Sequence, residues 1–255
     1  MKKPLDPLSV KTIPKKQFLL KTVLSFIVLV LLFLGLWKGF NWIRHQPQAS
    51  GAPKPLRSVL NTNEKIFSAL FDTSRHVKEF PVSAAVKNVR VNGNAGLSGV
   101  ADTSTWRLNV VKNNGDTLSL TLEDIKKLPK KDIVFDFKCI EGWSQVTHWA
   151  GVSFKTFVEA YDLKVEEKMK YIGLVTPDKG YYVGIDMPSA LQSQTILCYE
   201  MNGRPLPMNQ GYPLRLIIPV KYGIKHLKRI GTLFFSNTKP ADYWAERGYD
   251  YYAGH

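Results

Sequence analysis

Two cysteines, Cys139 and Cys198, are all that 255 residues contain. They are too few for a multi-cysteine zinc site, an iron–sulfur cluster or a cysteine-dense scaffold. No Cys-x-x-Cys pair or Cys-x-x-Cys-His haem site is present. The five histidines (His45, His76, His148, His226, His255) form no His-x-His or His-Glu-x-x-His unit, so zinc hydrolysis lacks a ligand set. Neither a Gly-x-Ser-x-Gly turn nor a Gly-x-Gly-x-x-Gly fingerprint occurs. Acid is scarce too: 21 Asp and Glu face 35 Lys and Arg, a net charge of +14. The excess is uneven. Residues 1–44 hold eight basic residues and one acid, Asp6, and so carry half of it. Elsewhere no basic face with aromatic platforms or groove-reading helix is visible, and nucleic acid is not expected as a partner. Hydrophobic residues at 44% and charged residues at 22% match ordinary globular usage, which excludes disorder for the whole chain.

What is present begins with a membrane signal. Thr22 to Trp37 carries no charge, and Phe18–Leu20 and Phe40–Ile43 extend it beyond the roughly 20 residues that a bilayer core needs. Lys21 and Lys38 can reach the interfaces, and Trp37 and Trp42 suit an aromatic belt. A core helix would be apolar on one side only. A cleaved signal peptide would have a shorter apolar region, although Ala49-Ser50-Gly51-Ala52 offers small residues for cleavage. Six lysines precede the span, which places the N-terminus in the cytoplasm and the rest outside. Lys15-Lys16-Gln17-Phe18-Leu19-Leu20-Lys21 resembles a twin-arginine export signal with lysines in place of both arginines. The organisation read from this is a cytoplasmic basic tail at 1–17, a transmembrane anchor at 18–43, a linker rich in Pro, Ala and Ser at 44–62, and a domain at 63–255.

Within the domain, strands outnumber helices and do not alternate regularly with them. That predicts an α+β fold of mixed β-sheets with short helices. Trp106–Val111 and Thr117–Leu120 flank Asn113-Asn114-Gly115-Asp116, a hairpin signal. Thr121 opens a short helix that Pro129 stops, and Ser153 is expected to cap a helix with apolar Phe154, Phe157, Val158 and Tyr161. Ile133–Lys138, Tyr171–Val175, Tyr181–Ile185, Thr195–Tyr199, Leu214–Pro219 and Arg229–Phe235 read as strands. Asp186-Met187-Pro188 starts another short helix.

Two places could carry chemistry. Cys139 follows a strand and precedes a glycine-containing loop, and Lys138 beside it would favour a thiolate that binds metal or attacks. A buried thiol in the core and a Cys139–Cys198 disulfide are the other readings. Cys198 lies in an apolar strand and reads as core. The second place is Arg215–Arg229, where Lys221, Lys225 and Lys228 surround Gly223. Such a loop holds a phosphate through backbone N–H groups and lysine charge, or else forms a solvated basic edge.

These places resemble a known family. Lys138-Cys139-Ile140-Glu141-Gly142-Trp143-Ser144, followed by Trp149-Ala150-Gly151-Val152, resembles the molybdenum-ligand loop of the sulfite oxidase superfamily. Tyr199–Pro207, Gly211–Leu216 and Pro219 to Lys225 resemble its pterin-binding half. The likeness covers roughly residues 75–245. Within the superfamily it is nearest the catalytic subunits of periplasmic protein-methionine-sulfoxide reductases. The resemblance implies a molybdenum–molybdopterin cofactor with Cys139 as metal ligand and catalytic centre. It implies cofactor contacts from Arg75, Lys78, Glu79, Thr176, Gln210, Arg215, Gly223, Ile224 and Lys225. A soft metal held by a dithiolene and one protein thiolate needs only one useful cysteine.

The implied activity is oxygen-atom transfer, with reduction of an S-oxide such as a methionine sulfoxide expected. Glu141 and Trp143 beside the thiol suit a neutral oxo donor better than a small anion. Sulfite oxidation, or a cofactor-free module that kept the fold, are the alternatives. The chain has no second redox centre, so a membrane haem or quinol-linked protein is the expected electron partner. The expected location is the inner membrane, crossed once, with the domain facing the periplasm or cell exterior. Protease added to intact spheroplasts should therefore degrade the domain. Survival of the domain until lysis would place it in the cytoplasm.

Overall fold

The computed structural model describes residues 13–74, 76–99 and 101–255. Helix α1 (Lys15–Arg44) is apolar on all sides, buries nothing against the rest of the chain, and is long and apolar enough to cross a membrane. The stretch read as a linker is largely regular. A minimal hairpin of β1 (Gln48–Ala49) and β2 (Ala52–Pro53) leads into helix α2 (Lys54–Leu70), with Pro55 in its first turn. Proline there costs no hydrogen bond, because the first helical N–H groups have no partner within the helix. The composition that suggested a linker is thus a turn followed by a proline-led helix start.

Strands β3 (Leu108–Val111) and β4 (Thr117–Leu120) form the expected hairpin, and Thr121 caps helix α3 (Leu122–Lys126) in a capping box with Asp124. Trp106 stops short of the strand and donates its indole N–H to the Ile230 carbonyl at 3.0 Å. Strand β5 (Lys130–Lys138) then pairs over its whole length with β6 (Ser144–Ser153). The sequence reading missed β6, whose polar Gln145, Thr147 and His148 mask its strand character. Helix α4 (Phe154–Ala160) follows it. Ser153 makes no side-chain cap there, contrary to expectation, because it is still paired in β6 with Ile196.

The remaining elements are β7 (Tyr171–Val175), β8 (Tyr182–Asp186), α5 (Met187–Ala190) capped by Asp186, β9 (Ile196–Met201), β10 (Arg204–Pro205), β11 (Arg215–Ile217) and β12 (Thr232–Ser236). They complete two sheets. One runs β10-β9-β6-β5 with β11 also on β9, and the other runs β4-β3-β12-β7-β8. Among the described residues only β12 and β3 are parallel; every other strand pair is antiparallel. This is the α+β architecture of mixed sheets that the pattern predicted.

The first sheet is buried on both faces. Along β9, Leu197 and Tyr199 join the large core between the sheets, while Ile196 and Cys198 join a smaller cluster with Phe135, Phe137, Trp149 and Ile217. Strand periodicity of two sends alternate side chains to opposite faces, so both sets must be apolar here. The β6–β9 register shifts between Ala150 and Gly151. A Cβ on Gly151 would stand 2.1 Å from the Leu197 carbonyl oxygen. Gly151→Ala should lower stability by about 1–3 kcal/mol, the usual cost of overpacking, as read from urea unfolding. A wild-type midpoint would show that the strands part freely.

Candidate functional site

The β5–β6 hairpin carries the first functional residue. Lys138 pairs with Ser144, and residues 139–143 close the turn. The Cys139 N–H donates to the Trp143 carbonyl (2.9 Å) and the Gly142 N–H to the Cys139 carbonyl (3.1 Å). Gly142 has φ +89°, a region that glycine enters without penalty. The loop thereby fixes the Cys139 thiol at the sheet's end, in a cavity of about 120 Å³. Asn92, Tyr181, Gly223, Ile224, His226, Lys228, Trp244 and Tyr249 also line it.

Burial raises the thiol pKa, and Glu141 nearby raises it further. The Glu141 amide, the Asn92 side chain and Arg90 act in the opposite direction. Lys138, expected to favour the thiolate, lines a different depression together with His255. Arg90 instead lies over the Trp143 ring at 4.7 Å, and the Trp143 indole donates to Glu141 at 2.9 Å. Both cysteines are free, so the disulfide reading falls. Cys198 is core as expected: burial pushes its pKa to about 12 and its thiol meets the Glu200 carbonyl.

The basic stretch is not a solvated edge. Lys221, Lys225, Lys228 and Arg229 are all buried, and so is Arg215. Lys221 pairs with Asp186 (2.7 Å) and Lys225 with Asp242 (2.5 Å). Lys225 also donates to the Gly184 carbonyl, so its ammonium is engaged away from the Cys139 cavity, whereas Gly223 and Ile224 border it. Among the described residues Lys228 has only the carbonyls of Asn92, Gly93 and Asn209. Burial, with Arg215 nearby, lowers its pKa to about 7. Arg215 donates to the Gln210 carbonyl and side-chain oxygen and to the His226 carbonyl, and lies over Trp149. Among the described residues its Nε has no hydrogen-bond partner, and burial lowers its pKa to about 10.

The other expected residues are dispersed. Gln210 bridges Arg215 to the carbonyls of Val89 and Arg90, which precede the Asn92 turn. Thr176 donates to Asp178 and faces a larger cavity of about 970 Å³ beside Arg229. Glu79 accepts from Gln194 and bridges to Phe135, and Lys78 lies over Phe80; neither lines the Cys139 cavity. Arg75 lies outside the described residues. The sequence reading missed Asn92, Tyr181, Trp244 and Tyr249 as cavity walls. They lie 42 or more residues from Cys139 in the chain, outside any motif, and only folding brings them together.

His226 also escaped the sequence reading. Its Nδ1 accepts from the Ile218 N–H (3.4 Å), and its Nε2 donates to the Lys221 carbonyl (3.1 Å). Burial, and then Arg215, hold its pKa near 3, so the ring is neutral in the folded protein.

This donor set suits an anionic, metal-bearing cofactor. Lys228 and the unpartnered Nε of Arg215 are buried cations with no carboxylate partner among the described residues. Buried charge without a counter-ion is costly, and a phosphate would remove that cost. The thiol adds a soft ligand for the metal.

The comparisons agree with this chemistry. Residues 95–244 match the family described as the oxidoreductase molybdopterin binding domain, and the chain belongs to that family. It is similar, at 35% identity over 78% of its length and 76% of the relative's, to a protein of Azospira oryzae provisionally named protein-methionine-sulfoxide reductase subunit YedZ1. It is 30% identical to the protein-methionine-sulfoxide reductase catalytic subunit MsrP of Campylobacter jejuni, over 60% of this chain and 57% of that one. Rat mitochondrial sulfite oxidase matches at 27%, over 58% of this chain and 32% of its own. Among solved structures, the sulfane dehydrogenase SoxCD of Paracoccus pantotrophus shares the fold, with TM-score 0.50 and 17% identity, over 56% of this chain and 41% of that one.

Between pH about 3 and 6.5 the unfolded chain binds a proton at His226 that the folded chain does not. This ring therefore makes stability rise with pH through that window and fall on acidification. His226→Gln, which keeps a donor and an acceptor, should flatten the slope of urea midpoint against pH near 6. An unchanged slope would mean that the ring does not titrate differently in the two states.

Proposed function

We propose that this chain is a membrane-anchored molybdenum–molybdopterin oxidoreductase that reduces S-oxides outside the cytoplasm. The observation that carries the reading is that the Cys139 thiol and the uncompensated buried cation Lys228 line one cavity, with a second such cation, Arg215, acting on Lys228. Bound there, the cofactor supplies two-electron oxygen-atom transfer, the hard part of the chemistry. The chain's own task is to hold and shield. Cys139 would be the metal ligand, Lys228 and Arg215 would bind the phosphate, and the Gly223–Ile224 backbone would border the ring system. Trp244, Tyr249 and Tyr181 restrict water, and neutral His226 stays fixed by two backbone groups. A sulfoxide leaves as a thioether, its oxygen leaving as water with two protons and two electrons taken up.

The relatives named as methionine-sulfoxide reductase subunits support an S-oxide substrate. Sulfite oxidation is the second reading, favoured by Arg90, which reaches the loop and could meet an anion. The apolar helix α1 supports a single-pass anchor at 18–43 with the domain facing the periplasm or exterior. A membrane haem or quinol-linked protein would then deliver the electrons, its effective concentration raised by the shared bilayer.

Molybdenum per purified chain tests the whole reading. Cys139→Ser should lose the metal and turnover, since a hydroxyl is a harder and less acidic donor than a thiol. Cys198→Ser should keep both. Wild-type protein that carries no molybdenum from a cofactor-competent host defeats the proposal.

Assays in both directions decide the substrate. Sulfoxide reduction with a small artificial dye should exceed sulfite oxidation, and isolated chain should not accept quinol. Faster sulfite turnover would select the second reading.

A further inference from the structure

Helix α2 is amphipathic in the inverted sense. A helix on a globular domain ordinarily turns its apolar side inward. Here a polar side faces the domain. Arg57 is buried and donates to the carbonyls of Ala245 (2.6 Å) and Tyr249 (2.9 Å), and Glu64 is ion-paired with Lys239. Leu56, Val59, Ile66, Phe67 and Leu70 recur at helical spacing on the other side, and each is 45–74% exposed; Phe67 and Leu70 also border the depression that Lys138 and His255 line. Five such side chains in four turns are a surface that water does not favour.

The place of α2 along the chain points to what covers it. The Lys54 N–H, at its first residue, donates to the Pro47 carbonyl at 2.9 Å. Pro47 lies three residues beyond the end of α1, and three residues reach at most about 10 Å. Arg57 also donates to the carbonyls of Ala49 and Ser50, so α2 is tied to the hairpin through which α1 leaves. The helix therefore begins within about 15 Å of the point where the apolar span ends, within reach of a bilayer's headgroup region. Exposed Lys54 and Lys65 add positive charge for anionic headgroups.

We propose that α2 lies along the bilayer surface, its apolar side in the boundary between headgroups and acyl chains. The inference rests on the reading that α1 spans the membrane. Attachment of α1 makes this contact intramolecular, so even weak partitioning of α2 is enough to populate it. Through Arg57 the contact reaches the carbonyls of Ala245 and Tyr249, and Tyr249 lines the Cys139 cavity. The bilayer thus sets the orientation of the cavity as well as its distance.

The test uses the full chain in phosphatidylcholine vesicles containing phosphatidylglycerol. Single cysteines at Leu70→Cys, Ser68→Cys and Leu31→Cys carry an environment-sensitive fluorophore, and the unaltered chain sets the background from its two buried thiols. The Leu70 label should emit to the blue and be quenched by lipid-borne nitroxides several-fold more than the Ser68 label on the opposite side. The Leu31 label in α1 should be deepest. A deep Leu31 label with Leu70 as open to aqueous quencher as Ser68 overturns this inference and leaves the anchor standing. Aqueous signals from both Leu31 and Leu70 overturn the anchor reading as well. Protection of Leu70 only after a partner protein is added assigns the face to that protein and overturns the lipid contact.

Discussion

Positive charge held out of water without matching negative charge is the constraint on which this structure turns. Lys221 and Lys225 are settled by Asp186 and Asp242. Among the described residues Arg215 and Lys228 are settled by neutral carbonyls, an amide and the Trp149 ring. Those carbonyls belong to Asn92, Gly93, Asn209, Gln210 and His226, so the two cations also tie these segments together. A chain that keeps such a pair buried gives up stability, and an anion supplied from outside restores it. Binding of an anion at these cations would be coupled to folding through ordinary electrostatics.

The fold was legible wherever a local rule applied. The Asn113–Asp116 turn fixed one hairpin, Thr121 and Asp186 marked helix starts, and the apolar runs of β7, β8, β9 and β11 read correctly to within a few residues. Strand β6 was not legible. Its polar Gln145, Thr147 and His148 are engaged with the Arg90 N–H, the Trp149 indole and Asp132, and its Gly151 serves a close backbone approach that no periodicity announces. The segment before residue 63 misled for a related reason: proline and small residues mark turns and helix starts as well as linkers.

The site was legible in part. Cys139 stood out by its loop, and the Gly223–Ile224 backbone by its setting among cations. Lys225 was visible as a charge, but its engagement with Asp242, 17 residues later, was not. His226 and Asn92 gave no signal, since a single histidine and a turn asparagine are common everywhere. What sequence omits here is pairing across the chain, which decides whether a basic side chain is free for a ligand or already matched by an acid.

Strand β12 has a temporal meaning. It lies in the middle of its sheet, between β3 and β7, although it follows every other described strand in the chain. Until residue 236 has left the ribosome or the translocation channel, that sheet is split, and the cavity wall formed by Trp244 and Tyr249 does not exist. The cavity is therefore not closed before residue 249 has emerged, and a group held in it would enter after that point. A channel that threads extended chains would deliver this domain empty, to be filled on the far side, whereas delivery of a filled domain requires a gate wide enough for a folded body.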